Sequence, residues 1–177
     1  MALLDKIVDI DVERRTVTVE AGARVQQVVE ALRPHGLTLE NYASVREQQI
    51  GGYTQVSAHG TGARLPPVSD QVLSLRLITP VGGAVDLDEK DGDLFQMVKA
   101  SAAGTRRTFG RHAAFGHGAL MYPSRLLQVG LGALGVVSQV TLRCVPAKRV
   151  VEHTFVSTPA EVRRNHHRWL RENEHIK

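Results

Sequence analysis

An α+β fold, with helices packed on a mixed sheet, follows from three features of the chain. Apolar and polar residues alternate with period 2 over Lys6 to Ile10 and Arg15 to Glu20. One helical face, Val25, Val28, Val29 and Leu32, follows directly. The later strand signals then come in pairs and runs instead of a strict β-α-β alternation, which sets the chain apart from doubly wound nucleotide folds.

The two alternating segments flank Glu13-Arg14-Arg15 and read as a hairpin with one buried face. After Gly22 the valine and leucine spacing predicts a helix, which Arg33-Pro34-His35-Gly36 stops before a short strand from Leu37 to Glu40. Gln71 to Thr79 and Ala84 to Leu87 form a second strand pair around Pro80-Val81-Gly82-Gly83. Asp91 to Val98 opens a helix with acids in its first turn, where they favour the positive end of the peptide dipoles. Gly135 to Val145 reads as a long strand, Arg149 to Val156 as its continuation after Pro146, and Pro159 to Asn173 as a charged helix.

Between the first β-β-α-β unit and the second strand pair, Asn41 to Pro67 departs from this periodicity. Glycine, small hydroxyl residues and one histidine dominate NYASVREQQIGGYTQVSAHGTGARLPP. Gly51-Gly52 and Gly60-Thr61-Gly62 expose backbone, so their amides are expected to close on an anion such as a cofactor's diphosphate. An ordinary glycine-rich loop has the same composition, and spacing alone does not separate the two. Gly130-Leu131-Gly132-Ala133-Leu134-Gly135 has the GxGxxG spacing, but a strand follows it instead of a helix, which excludes a Rossmann fingerprint.

Composition narrows the function classes. The 177 residues are 42% hydrophobic and 23% charged, the balance of a globular domain with a core. No apolar run approaches the ~20 residues of a membrane span, and the first residues lack a signal peptide's pattern. The net charge of +4 is local: Lys99 to Leu127 holds Lys99, Arg106, Arg107, Arg111 and Arg125 without an acid, and removing these five takes the basic count from 22 to 17 against 18 acids. With no aromatic platforms interleaved, that segment does not read as nucleic-acid binding. The lone Cys144 sits in the strand-like VTLRCV and reads as a buried thiol; no metal-ligand spacing is present.

The run from Val17 to Pro80, VTVEAGARVQQVVEALRPHGLTLENYASVREQQIGGYTQVSAHGTGARLPPVSDQVLSLRLITP, closely resembles the galactonolactone dehydrogenases. These are aldonolactone oxidoreductases within the vanillyl-alcohol-oxidase (PCMH) type of FAD-binding fold. The likeness resumes after Val129 with GLGALGVVSQVTLRCV and continues through VVEHTFVS, covering roughly four-fifths of the chain. It implies an FAD-binding domain over residues 1–146, and the start of a cap or substrate domain over 147–177. Lys99 to Leu127 stands outside the family pattern and is expected to be either a lineage-specific loop or a translated intron.

The resemblance also assigns residues. Ala43 falls where a small residue lies beside the flavin ring, alanine there hindering oxygen and favouring a dehydrogenase over an oxidase; Ser44 falls close to the ring and substrate. Gln49, Gly52, Val56, Ser57, Ala58, His59 and Gly60 fall along the FAD pyrophosphate and ribityl chain, and Val136 near the adenine. Tyr53 and Ser57 replace residues that relatives keep small or aliphatic. His59 reads as an orienting hydrogen-bond group, neither proton carrier nor site of covalent flavin attachment. Arg46-Glu47 is either substrate-proximal or a surface ion pair, and Arg64 either neutralises phosphate or is solvated. The family's N-terminal FAD loop is expected to precede Met1, and its catalytic glutamate and arginine to lie beyond Lys177. No catalytic residue is therefore named within the chain, and the isolated chain is expected to bind FAD weakly.

The activity so implied is oxidation of L-galactono-1,4-lactone to L-ascorbate, with cytochrome c as electron acceptor at the mitochondrial inner membrane, facing the intermembrane space. Membrane association comes from that family context alone. A sugar-lactone or alditol oxidase using oxygen, and a non-catalytic binding or assembly protein, are the alternatives.

Overall fold

The computed structural model describes residues 3–62, 65–98, 134–154 and 156–172. The opening hairpin is β1 (Ile7–Asp11) and β2 (Thr16–Glu20), with Ile10 opposite Val17 and Ile7 opposite Val19. Period 2 sends Val17 and Val19 into the core, where both are fully buried. Helix α1 (Val25–Leu32) buries the four residues its spacing singles out, and Gly36 ends the following turn in the left-handed region at φ 67°. Strand β3 is shorter than expected, Leu37–Thr38, because the segment it pairs with, Val145–Pro146, offers two residues.

Helix α2 (Ile50–Gln55) lies inside the glycine-rich segment, where the sequence gives no helical periodicity. Six residues with two glycines cannot hold a helix by propensity; packing holds this one, with Ile50, Gly51, Tyr53, Thr54 and Gln55 all buried. Strands β4 (Val72–Ile78) and β5 (Ala84–Asp88) form the second hairpin, followed by α3 (Gly92–Val98). Asp88 and Asp91 cap the turn before α3 reciprocally: the Asp88 N–H donates to Asp91 Oδ2 at 2.7 Å, and the Lys90 N–H to Asp88 Oδ1 at 2.7 Å.

Strand β6 (Val136–Arg143) enters between the two hairpins, giving the order β1-β2-β6-β4-β5. Every pairing in this sheet is antiparallel, so the α+β expectation holds while the expected mixed sheet is an antiparallel one among the described residues. Val137, Val140 and Leu142 of β6 join Val17, Val19, Leu75, Leu77 and Phe95 in one core. Cys144 ends the strand buried, and β7 (Val145–Pro146) turns away to pair with β3. The expected strand from Arg149 is not formed over Arg149 to Thr154; Val150 and Val151 are exposed, and among the described residues no neighbouring strand supplies a ladder for them. Helix α4 (Pro159–Glu172) is capped by Thr158 and Glu161, whose carboxylate accepts the Thr158 N–H at 2.8 Å, and it buries none of its residues. Outside the described residues lie Arg64, the atypical basic segment, Lys99 to Leu127, and the end of the chain at Lys177, beyond which the family's catalytic pair is expected.

Candidate functional site

The residues around α1 and α2 are arranged by backbone bonds between the two helix starts. The Val25 and Gln26 N–H groups donate to the carbonyls of Gln48 and Arg46, each at 3.0 Å. In return the Ile50 and Gly51 N–H groups donate to the carbonyls of Ala23 and Ala21, each at 2.8 Å. Each helix start thus satisfies the orphan donors of the other, where a side-chain cap would otherwise serve. This corrects the expectation that the Gly51 amide closes on an anion. Gly51 is small because a Cβ there would lie 2.9 Å from Ala21 Cβ. Around Gly52 the space is open, with nothing within 4 Å of the place a side chain would take.

Asn41, 2% exposed, organises the next turn. Its Nδ2 donates to the carbonyls of Leu65 and Pro66 at 3.3 and 3.2 Å, and its Oδ1 accepts the Gly62 N–H at 3.3 Å. Its carbonyl accepts the Gly60 N–H at 2.9 Å and the Tyr53 hydroxyl at 3.4 Å. The amides of Gly60 and Gly62 are therefore engaged internally, a second correction to the expected anion grip. Gly60 is required by close approach: a Cβ would lie 2.5 Å from the Tyr42 carbonyl oxygen. Asn41 and Tyr53 carry no chemical motif, and the sequence reading did not single them out as site residues.

Between these segments lies a concavity of about 600 Å³ lined by Asn41, Ser57, His59, Gly60 to Gly62, Leu65 and Pro67. A volume of that order receives a substantial part of a cofactor. Of the expected cofactor residues, Ser57, His59 and Gly60 line it. Ala43 and Ala58 pack partly buried against the core beside it; the Ala58 N–H donates to the Tyr53 carbonyl at 3.2 Å and its own carbonyl accepts from Val68 at 2.9 Å. Ser44, Gln49, Gly52 and Val56 are exposed, and Val136 stands half-exposed at the start of β6, opposite Ile78. No catalytic residue was expected before Lys177, and none is assigned to this concavity.

The His59 Nδ1 lies 2.8 Å from the Gly60 carbonyl, which can only accept, so Nδ1 carries the proton and Nε2 is left for another group. Ser57 holds φ 52°, costly for a residue with a Cβ, and its Oγ lies 2.7 Å from Oγ of the fully buried Ser69. Burial pushes the Tyr53 phenol up to about 12, the Ala43 backbone amide acting on it in the opposite sense. Glu47 pairs with Arg24 at 3.1 Å on the surface, and Arg64 lies outside the described residues. Burial also pushes the Cys144 thiol up to about 11, the state of an inert core thiol.

The concavity has room for part of a phosphate-bearing cofactor and offers it the exposed ring of His59, while the amides of Gly60 and Gly62 serve the wall's own construction. Among the described residues neither carboxamide atom of Gln71, 3% exposed, has a hydrogen-bond partner, nor has the Oε1 of Gln48. Among the described residues no three His, Cys, Asp or Glu side chains cluster for a metal, and no helix is long and apolar enough to cross a membrane.

Comparison with known proteins adds family evidence. Residues 1–88 match the FAD binding domain family. The chain is 48% identical, over its whole length, to L-galactono-1,4-lactone dehydrogenase 2, mitochondrial, of Oryza sativa subsp. japonica, and 46% identical to L-galactono-1,4-lactone dehydrogenase, mitochondrial, of Arabidopsis thaliana. It spans 26% and 24% of those proteins, about a quarter of their length. Among solved structures, alkyldihydroxyacetonephosphate synthase superposes with a TM-score of 0.54 over 82% of this chain and 22% of that one; at 16% identity the likeness is one of fold.

Proposed function

We propose, for a chain that carries an FAD binding domain and is homologous along its whole length to L-galactono-1,4-lactone dehydrogenases, that it forms part of the flavin site of an aldonolactone dehydrogenase. The reaction is oxidation of L-galactono-1,4-lactone to L-ascorbate, the substrate following from the names of those relatives. Cytochrome c as electron acceptor, at the mitochondrial inner membrane on its intermembrane-space side, follows from the family resemblance; the names of both relatives support the organelle alone.

The observation that carries this reading is the concavity between the Asn41 turn and the loop from Ser57 to Pro67, built from the glycine-rich segment on which the family resemblance was read. Ser57, His59 and Gly60 on its wall would hold the cofactor's phosphate and ribityl portion, with Nε2 of His59 as a polar contact. Ala43 and Ser44, on the adjoining turn, would lie towards the ring, and Gly52 leaves open space on the exposed side of α2. Bound FAD supplies the two-electron acceptor for the lactone's secondary alcohol; the chain's own share is binding and orientation. The Ala43 methyl favours dehydrogenase over oxidase behaviour by crowding oxygen at the ring.

We assign residues 1–146 to the FAD-binding domain and 147–177 to the start of a substrate domain. The assignment is supported by the end of the sheets at Pro146 and by the absence of buried residues in α4. Purification from the complete open reading frame tests the function. Yellow protein that reduces cytochrome c with galactonolactone supports it. Peroxide formation in oxygen would point to a lactone or alditol oxidase, and colourless protein without turnover to a binding or assembly role.

A further inference from the structure

We propose that Asn41 is a positioning residue for the cofactor concavity, joining the turn that carries Ala43 to the loop from Ser57 to Pro67 so that the two walls hold one geometry. The inference rests on the flavin reading of this site and goes beyond it, because Asn41 itself need not touch the cofactor to act.

Asn41 is nearly completely buried and makes polar links in both directions across the site. Its carboxamide uses both of its chemical characters: the NH₂ donates to the Leu65 and Pro66 carbonyls, and the oxygen accepts the Gly62 N–H. Its backbone carbonyl receives the Gly60 N–H and the Tyr53 hydroxyl. Gly60 is fitted so closely against Tyr42 and Asn41 that no side chain could be placed there. A donor and an acceptor at adjacent atoms of one buried group is a requirement that asparagine meets and aspartate, when ionised, does not. A carboxylate would set a second oxygen against two carbonyl oxygens, and the loop would have to leave the turn.

The test is Asn41→Asp in the protein expressed from its complete open reading frame, with FAD affinity measured by flavin fluorescence against the unsubstituted protein from pH 8 to about pH 5. Leaving buried acceptors unpaired predicts a variant roughly tenfold to a hundredfold weaker in FAD binding at pH 8. As pH falls the buried carboxyl, whose ionisation is disfavoured by burial and by the facing carbonyls, takes a proton and regains a donor. The ratio to the unsubstituted protein then returns towards one, a recovery that a loss of packing would not show. Of the titratable groups beside the turn, His59 is common to both proteins and Tyr53, held up to about 12 by burial, stays protonated throughout, so the ratio isolates residue 41.

Equal affinity at pH 8, or a deficit that is the same at every pH, overturns the proposal. Should the variant fail to fold, amide exchange in the unsubstituted protein decides. Gly60 and Gly62, both held by Asn41, are expected to be protected together, and a Gly62 amide that exchanges as freely as one in an unfolded chain overturns the proposal. Unsubstituted protein that binds no FAD contradicts the flavin reading instead, and is told apart because the exchange measurement needs no flavin.

Discussion

The hydroxyls of Ser57 and Ser69 meet at 2.7 Å, and Ser57 makes this bond from a left-handed backbone conformation that glycine would adopt without cost. Two opposed consequences follow for substitution. Ser57→Ala keeps the strained φ and leaves the buried Ser69 hydroxyl unpaired, costing about 1–3 kcal/mol. Ser57→Gly loses the same bond but relieves roughly 1–2 kcal/mol of backbone strain, so it lies close to the unsubstituted protein. Thermal melts check the order: at about 2–4 °C per kcal/mol for a chain of this size, alanine lowers Tm clearly and glycine restores most of it.

Gly60 and Gly52 are predicted to respond in opposite ways to alanine. At Gly60 the methyl meets a backbone carbonyl at 2.5 Å, and Gly60→Ala destabilises by about 1–3 kcal/mol. At Gly52 the methyl enters open space in a helix, so Gly52→Ala is neutral or stabilising by about 0.5–1 kcal/mol. If the cofactor covers that open space, Gly52→Ala weakens FAD binding at least about tenfold, on the order of 1.4 kcal/mol, without lowering Tm. Denaturation and flavin titration of the two variants separate packing from binding.

Gln71 buries both ends of its carboxamide without a partner among the described residues. Gln71→Met, similar in length and free of that desolvation, is expected to raise stability by about 1–3 kcal/mol. A fall of several degrees in Tm would show that the amide is engaged in the folded protein.

Alkaline pH should unfold the protein through its buried acids. Cys144, raised by burial to about 11, and Tyr53, raised by burial to about 12, stay protonated in the folded state while the unfolded chain ionises at their ordinary values of 9.0 and 10.0. Their contribution to stability is therefore fully present below about pH 9 and is lost as pH rises through the folded values. Cys144→Ala is predicted to flatten the decline between about pH 9 and pH 11, leaving a later one that Tyr53→Phe removes. Chemical denaturation at successive pH values measures both.

The helix at Val25–Leu32 and both hairpins were legible because one buried face imposes a period on the residues that make it. Where a partner decides, the letters alone mislead. Val150 and Val151 read as strand but meet no neighbouring strand among the described residues, whereas Ile50–Gln55 reads as loop but is held by the carbonyls of Ala21 and Ala23. The glycine signal was divided in the same way. A missing side chain at Gly51 and Gly60 makes room for Ala21 and Tyr42, whereas at Gly52 the room is open. Asn41 was missed because its side chain bonds to residues more than twenty positions away, which leave no spacing to read.

The most direct test of the flavin site is a crystal structure of the protein with FAD bound. The account predicts the diphosphate in the concavity beside His59 and Ser57, with the ring towards Ala43. Flavin density elsewhere on the domain, with the concavity filled by the protein's own side chains, would contradict it.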